Sequence, residues 1–202
     1  ETTRFSGSLK GIGAAITAAF SVAAVVSFGR EVFKTTALFQ QYQKVLDFTA
    51  GSQAQGAVSM QHLVNTSNKL GISLIAAIEG FKTLSGAATQ AGISNNQTRK
   101  IFDNVAKSVA AFGLSSEDAK GVFLALGQII SKGTVSAEEL RGQIGERIPG
   151  AFSIAAKSMN VTEAELNKLL QTGKITAKEF VIPFTQALAD ASEKADGKDG
   201  LT

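Results

Sequence analysis

"GISLIAAIEGFKTLSGAATQAGIS" (residues 71–94) begins and ends with the same three residues, and "GLS" at residues 113–115 follows at the same spacing of 21 residues. A glycine that adopts positive φ ends a helix, and a serine shortly after it caps the next helix. Each interval has room for a helix of about 18 residues and a tight turn. We therefore expect residues 52–132 to form helices that run antiparallel to their neighbours, with a turn at each of these glycines.

The segments between the turns keep helical spacing. Apolar residues recur every three or four positions, as at Ile101, Val105 and Val109, and no segment of comparable length alternates apolar and polar residues like a half-buried strand. The sequence therefore predicts an all-α fold. The expected architecture is an antiparallel helical bundle of short helices, preceded by a long apolar, Ala-rich N-terminal helix.

Three segments are expected along the chain. Residues 1–50 form a long N-terminal helical segment, residues 51–190 form the helical domain, and the polar residues 191–202 form a flexible tail or linker. The two prolines, Pro149 and Pro183, are expected to mark helix starts or kinks, because proline fits the first turn of a helix and disrupts its interior.

A repeated phrase punctuates the second half of the chain. "GTVSAEEL" (residues 133–140) returns as "GKITAKEF" (residues 173–180), with the shorter variant "NVTEAEL" (residues 160–166) between them. In each copy a hydroxyl residue stands where a helix needs an N-cap, and a glutamate three positions later completes a capping box. The expected caps are Ser136 with Glu139, Thr162 with Glu165, and Thr176 with Glu179. Such caps are worth about 1 kcal/mol each and require no function.

Composition sets outer limits. The chain has 202 residues, 44% of them hydrophobic, which is enough to build the core of one domain or of one domain with an appendage. Without cysteine it has no disulfides and no thiol chemistry, which excludes a small disulfide scaffold. It begins at Glu1 and shows no leader sequence, so we expect it to be a piece of a longer protein.

Charge is uneven along the chain. Residues 1–100 hold nine Lys or Arg against four Asp or Glu, whereas residues 101–202 hold eleven against thirteen. The basic residues of the first half are scattered, and only Arg99 and Lys100 are adjacent. A nucleic-acid binder usually clusters its basic residues on one face, so direct DNA binding is not expected.

The stretch "GIGAAITAAFSVAAVVSFG" (residues 11–29) has nineteen residues and no charge. That length is close to the roughly 20 residues that span a bilayer, but most of these residues are Ala, Gly, Ser or Thr, which favour close packing between helices. Its strongly apolar residues, which would face a membrane or a sister helix, are Ile12, Ile16, Phe20, Val22, Val25, Val26 and Phe28. We expect a context-dependent helix that packs against sister copies of the chain and can also enter lipid.

Catalytic residues are hard to assemble from this sequence. The single histidine, His62, has no metal-ligating residue three or four positions away. Glu138, Glu139 and Glu146 lie close in sequence, but the first two already fit the first turn of a helix, where carboxylates are favourable. We therefore expect no catalytic residues, no metal site, no cofactor and no enzyme activity.

The run "GTVSAEELRGQIGERIPGAFSIAAKSMNVTEAELNKLLQTGKITAKEF" (residues 133–180) resembles the signature of the tape measure domain of tail tape measure proteins from long-tailed bacteriophages and prophages. The similarity extends more weakly upstream and covers about residues 25–190. Asn160 stands where the family usually has glycine, and asparagine also tolerates the left-handed conformation.

This resemblance implies a structural role in tail assembly. Proteins of this family lie inside the tail tube, set the tail length and are expelled ahead of the DNA, so the implied location is the virion and, after ejection, the host envelope. The implied partners are other copies of the chain, tail tube proteins, tail-tip or baseplate proteins and, on ejection, the host membrane. Two alternatives stay open: a membrane-active segment of a DNA-ejection channel and, less favoured, a peptidoglycan hydrolase.

Within the signature, "RGQIGERIPG" (residues 141–150) is the part that capping explains least. Its residues form a candidate interaction motif: Arg141, Gln143, Glu146, Arg147 and Pro149. A charged pair or network that fixes the corner between two helices is the favoured interpretation, and a partner-binding role is the alternative.

Overall fold

The computed structural model describes residues 36–195. The apolar stretch at residues 11–29 and most of the expected tail therefore lie outside the described residues. The chain divides into two compact units, Glu1–Lys44 and Val45–Thr202. Residues 36–44 are the described part of the first unit, and the architecture below concerns the second.

Helices account for nearly all of the described structure. Their bounds are α1 Thr36–Ala50, α2 Gln53–Leu70, α3 Leu74–Gln90, α4 Asn95–Ala111, α5 Ser116–Lys132, a π-helix Glu138–Ile144, α6 Ala151–Ser158, α7 Glu163–Gln171 and α8 Ala177–Ala195. No β-strand occurs within residues 36–195, where the sole extended pairing is one isolated bridge. The predicted all-α fold is confirmed.

The predicted glycine turns between α2 and α5 are confirmed. Gly71, Gly92 and Gly113 have φ values of 68°, 68° and 62°, in the left-handed region that favours glycine. The serine after each turn is the N-cap of the next helix. Ser94, for example, forms a capping box in which its side chain accepts from Gln97 N while the Gln97 side chain accepts from Ser94 N.

The spacing of 21 residues begins earlier than the sequence analysis recognised. Helices α2 to α5 have their N-caps at Ser52, Ser73, Ser94 and Ser115. Equivalent positions of these helices therefore repeat exactly along the chain.

The shared register places one phenylalanine at the middle of each of three helices, where the rings meet in the core. Phe81 and Phe102 lie 5.6 Å apart between ring centroids, edge to face, and Phe102 stacks on Phe123 at 5.2 Å. All three are at most 3% exposed. Met60, also buried, holds the equivalent position in α2.

Helices α3 and α5 run in the same direction. Glu79 pairs with Lys120 at 2.7 Å, and a Cβ built on Gly127 would lie 2.7 Å from Thr83 Cγ2, so residue numbers rise together along the two helices. Helix α4, which connects them along the chain, must run in the opposite direction, as the antiparallel prediction requires. Gly80 lets α3 approach closely, since a Cβ there would meet the Phe123 ring at 2.3 Å.

Helix α8 returns from the C-terminal end to cover α4. Asn104 Nδ2 donates to Gln186 Oε1 at 3.4 Å, and Lys107 pairs with Glu193 at 2.9 Å. Phe180, Phe184 and Leu188 of α8 are fully buried. The core therefore combines the repeated helices with the last helix of the described chain.

Pro149 lies close to a helix start, as expected, whereas Pro183 does not. Pro149 lies two residues before α6, and Pro183 lies inside α8.

Candidate functional site

The two copies of the repeated phrase pair with each other. Val135 N donates to Ile175 O at 3.0 Å and Ala177 N donates to Gly133 O at 2.9 Å, which makes an antiparallel bridge between Thr134 and Thr176. Val135 and Ile175 are 1% and 2% exposed. The segment after α5 is thereby fastened to the start of α8.

A buried carboxylate follows this bridge. The Glu139 side chain is fully buried and accepts hydrogen bonds from the Lys132 ammonium and the Ser136 hydroxyl. Burial alone would raise the pKa of the Glu139 carboxyl, but the hydrogen bonds from Lys132 and Ser136 lower that pKa below its usual value. The Glu139 hydrogen bond in turn raises the pKa of Lys132, half of whose side chain stays exposed. The pair therefore carries both charges at neutral pH.

At Ser136 the structure differs from the expected capping box. Ala137 holds the N-cap position of the π-helix, and no side chain makes a cap hydrogen bond there. The Ser136 hydroxyl donates to the Glu139 carboxylate instead. The reason is that Lys132 draws this carboxylate into a buried ion pair, so it does not turn back to the cap's backbone.

The π-helix Glu138–Ile144 replaces the α-helix expected after the first copy of the phrase. Gly145 N donates to Leu140 O, five residues back, at 3.0 Å. A Cβ on Gly145 would lie 2.5 Å from Arg141 O, so the wide turn requires glycine at this position. Gly142, by contrast, has open space where a Cβ would stand.

The other two expected caps have the following geometry. Thr162 forms a capping box with Glu165, in which Thr162 Oγ1 accepts from Glu165 N. The hydrogen bonds that Thr162 N and Oγ1 donate to Glu165 Oε2 lower the pKa of the Glu165 carboxyl. Thr176 Oγ1 accepts from Glu179 N at 3.3 Å and donates to Glu179 Oε2 at 2.7 Å.

Arg141, the first residue of the candidate interaction motif, turns toward the helices that follow. Its guanidinium carbon lies 3.6 Å from the centroid of the Phe152 ring, in a cation–π contact. Its Nη2 reaches Asn167 Oδ1 at 3.5 Å. Arg141 thus joins the π-helix to α6 and α7.

Arg147 is the second cation that fixes this region. Its Nη1 donates to the backbone oxygen of Gln143 at 2.6 Å, and its Nε lies 3.8 Å from Asp118 Oδ1. A Cβ on Gly121 would fall 2.2 Å from that Nε, so glycine in α5 makes room for the guanidinium.

Glu146 and Pro149 lie on the outside of this region, and both are exposed. Within residues 36–195 no ion pair joins Glu146 to Arg141, since Arg141 lies over Phe152 instead. We call residues 132–152 the signature corner: Lys132 and Arg147 bind inward, and Glu146 and Pro149 are left at the surface.

The sequence analysis missed the partners that complete the signature corner. Phe152, Asn167 and Asp118 lie outside the motif's own run, and their pairing depends on how distant helices meet. The available signal was the glycine at position 121, whose place amid apolar residues of α5 indicates a close approach.

His62 has partners far away in sequence. Its Nε2 lies 2.7 Å from Asp103 Oδ1, and Thr66 Oγ1 donates to the same oxygen at 3.3 Å. These contacts join α2 to α4. Across the described chain, no three metal-ligating side chains come together. Of the helices within residues 36–195, none is both long and apolar enough to cross a membrane.

The chain is thus an all-α bundle domain. The residues of the signature corner fix the connection between α5, the π-helix and α6. The chain belongs to the tape measure protein family, whose sequence profile matches residues 30–199. The resemblance noted in the sequence is thereby confirmed.

A curated relative is named as a tape measure protein. The "Probable tape measure protein" of Salmonella phage Felix O1 (isolate Felix O1-VT1) is 33% identical over 116 residues, which are 57% of this chain and 16% of that protein. The chain therefore spans about a sixth of the length of the curated relative that it matches. No solved structure matches the chain.

Proposed function

We propose that this chain is the folded helical part of a phage tail tape measure protein, with a structural role in tail assembly and tail length determination and with release from the tail during genome ejection. The observation that carries the proposal is the family match over residues 30–199. The name of the phage relative supports it.

We propose that residues 51–190 act as an assembly domain and that the measuring itself is done elsewhere in the parent protein. A straight α-helix would add about 1.5 Å per residue, but here a turn follows every 17 or 18 helical residues from α2 to α5. A chain folded back in this way is a poor ruler. The relative supports this division, because the matched segment is only 16% of its length.

The proposed partners are other copies of the chain, the tail tube proteins and the tail-tip or baseplate proteins, and the proposed location is the interior of the tail tube. The surface residues of the signature corner, Glu146 and Pro149, are the candidate contact points. What supports this choice is that Lys132 and Arg147 bind inward and fix the backbone that carries Glu146 and Pro149 at the surface. The host envelope is the proposed destination after ejection.

The test is made in a phage that carries the chain, with tails counted and measured by electron microscopy. One variant deletes residues 74–115, which removes α3, α4 and their turns. A second variant, Phe102→Ala, damages the core without changing the number of residues. The matched control is Gly86→Ala, because a Cβ at this partly buried helix position meets nothing within 4 Å.

The expected result is a loss of tails in both variants, with unchanged length in the tails that remain and normal tails in the control. If the deletion shortens tails by about 60 Å, as 42 residues of straight helix would, the segment is itself the ruler and the assembly proposal is wrong. Normal yields and lengths in both variants would also overturn it.

We further propose that the chain has no catalytic role. The purified chain should release no soluble fragments from peptidoglycan, with lysozyme as the positive control. Release that is lost on heat denaturation of the chain would contradict this proposal.

A further inference from the structure

The spacing of 21 residues is three heptads, so the pattern of buried residues continues through the turns of the bundle. In α3 the buried layer is Ala77, Phe81, Leu84 and Ala88, and in α4 it is Thr98, Phe102, Val105 and Val109. Successive members are four, three and four residues apart, which is the spacing of a and d positions in a coiled coil.

The residues that link these layers keep the same frame. Between Ala88 and Thr98, the a and d frame falls on Ala91 and Asn95, at the two ends of the turn. A single asparagine at an a position is a known determinant of register and two-stranded association in coiled coils. A straight helix through this turn would therefore present one continuous core-forming stripe along α3 and α4.

The turn that would have to straighten is short, running from Gly92 to the N-cap Ser94. It depends on the left-handed conformation of Gly92, with a φ of 68°. A Cβ at Gly92 would meet nothing within 4 Å, so no neighbouring side chain packs over this position. Gly92, Ile93 and the extended N-cap Ser94 are the residues whose backbone must change before α3 and α4 can form a continuous helix.

We infer that the chain opens at the Gly92 turn and exchanges helices with a second copy of itself. In the exchanged dimer α3 and α4 of each copy form one helix. Helices α2 and α3 of one copy then pack on α4 and α5 of the other through the same contacts that the monomer makes internally. The exchange specifies the surface through which copies of the chain associate. It rests on the proposed function, which includes self-association.

The contact between Thr83 and Gly127 reports the exchange directly. The native chain has no cysteine, so Thr83→Cys with Gly127→Cys introduces the only two thiols. A Cβ on Gly127 lies 2.7 Å from Thr83 Cγ2, which places the two substituted positions in contact. After air oxidation, a monomer holds the disulfide within one chain, whereas an exchanged dimer holds it between chains and runs as a covalent dimer on a non-reducing gel.

Three versions of this double-cysteine chain are unfolded in urea and refolded at equal concentration: the native turn, Gly92→Ala, and Gly92→Ala with one alanine inserted after Ala91. Alanine disfavours positive φ, and each dimer relieves two strained turns, so Gly92→Ala should raise the dimerisation constant about a hundredfold. The inserted alanine breaks the heptad frame and should return covalent dimer to the level of the native turn.

The inference is overturned if Gly92→Ala folds and stays an internally cross-linked monomer, or if the inserted alanine leaves its dimer unchanged. If Gly92→Ala fails to fold, the double-cysteine chain with the native turn is used to test the inference. Its covalent dimer fraction must then rise when refolding is moved from micromolar to near-millimolar chain, and a constant fraction overturns the inference. Tail counts in the phage are independent of this experiment, so its failure leaves the assembly role standing.

Discussion

Glu139 is the residue at which the bundle departs most from an apolar core. Its carboxylate is fully buried and is compensated by Lys132 and Ser136, while its neighbours Leu140 and Val135 are apolar and equally buried. A buried carboxylate without these donors would be strongly destabilising. The position is therefore sensitive to pH as well as to substitution.

Glu139→Gln should lower the free energy of unfolding by about 1.5–3 kcal/mol at neutral pH, the range for a hydrogen bond that involves a charged group. Because the pKa of Glu139 is lowered in the folded state, its contribution is present above the usual value of 4.5 and is lost as pH falls through the folded value. Because the pKa of Lys132 is raised in the folded state, the contribution of Lys132 to stability is present below pH 10.5 and is lost as pH rises through its folded-state pKa. Urea unfolding from pH 3 to 10 measures the difference between variant and native chain.

The matched control for Glu139→Gln is Glu138→Gln, since Glu138 is the adjacent carboxylate and is exposed. We expect its effect to stay within about 0.5 kcal/mol. A stability difference for Glu139→Gln that does not shrink toward pH 3 would show that the ion pair is not its source.

Thr176→Val should cost about 0.5–2 kcal/mol by removing the hydroxyl that accepts from Glu179 N, while the shape of the side chain is kept. Thr134→Val is the control, because Thr134 lies opposite Thr176 in the bridge, whose hydrogen bonds are made by the backbone of the flanking residues. Equal thermal unfolding temperatures for native chain and Thr176→Val would rule out the capping role.

Among the elements, the π-helix is the one whose geometry depends on a glycine that has an ordinary negative φ, Gly145. Its wide turn carries a hydrogen bond from Gly145 N to Leu140 O, five residues back, and a Cβ on Gly145 would lie 2.5 Å from Arg141 O. The element thereby brings Arg141 over Phe152 and Arg147 against α5.

Gly145→Ala should destabilise the chain by about 1–3 kcal/mol, because its Cβ would collide with Arg141 O in the wide turn. Gly142→Ala, in the same element, has room for the methyl group and should be neutral or stabilising by up to about 1 kcal/mol. Urea unfolding of both variants measures the contrast. Equal effects at the two positions would mean that the π-helix does not persist in solution.

The elements that the sequence predicted correctly are those specified by residues adjacent in the chain. The turns at Gly71, Gly92 and Gly113 depend on residues adjacent in the chain, and sequence is sufficient for such signals. The bridge between Thr134 and Thr176 depends on contacts across about 40 residues, and nothing local specifies it. The π-helix was missed because its first turn carries the same capping pattern as an α-helix.

At the scale of the whole second unit, stability depends on the stack of Phe81, Phe102 and Phe123, which joins α3, α4 and α5. Phe102 contacts both other rings and is fully buried. Truncation there leaves a cavity that the neighbouring helices share.

Phe102→Ala should therefore lower the free energy of unfolding by about 3–5 kcal/mol, a large part of the roughly 5–15 kcal/mol typical of a domain. Phe48→Ala, at a position 86% exposed, should change it by less than about 0.5 kcal/mol. Calorimetry or urea unfolding measures the free energy of unfolding of both variants. Similar losses in the two would contradict the assignment of Phe102 to the core and of Phe48 to the surface.

The packing of α8 on α4 sets the order in which a ribosome can complete this bundle. Asn104 and its partner Gln186 are separated by 82 residues. At roughly 5–20 residues per second, α4 waits about 4–16 s after its own synthesis before the helix that covers it emerges. During that interval the nascent chain exposes an unfinished apolar face, and whatever shields it then, a chaperone or another nascent copy, acts on α4 first.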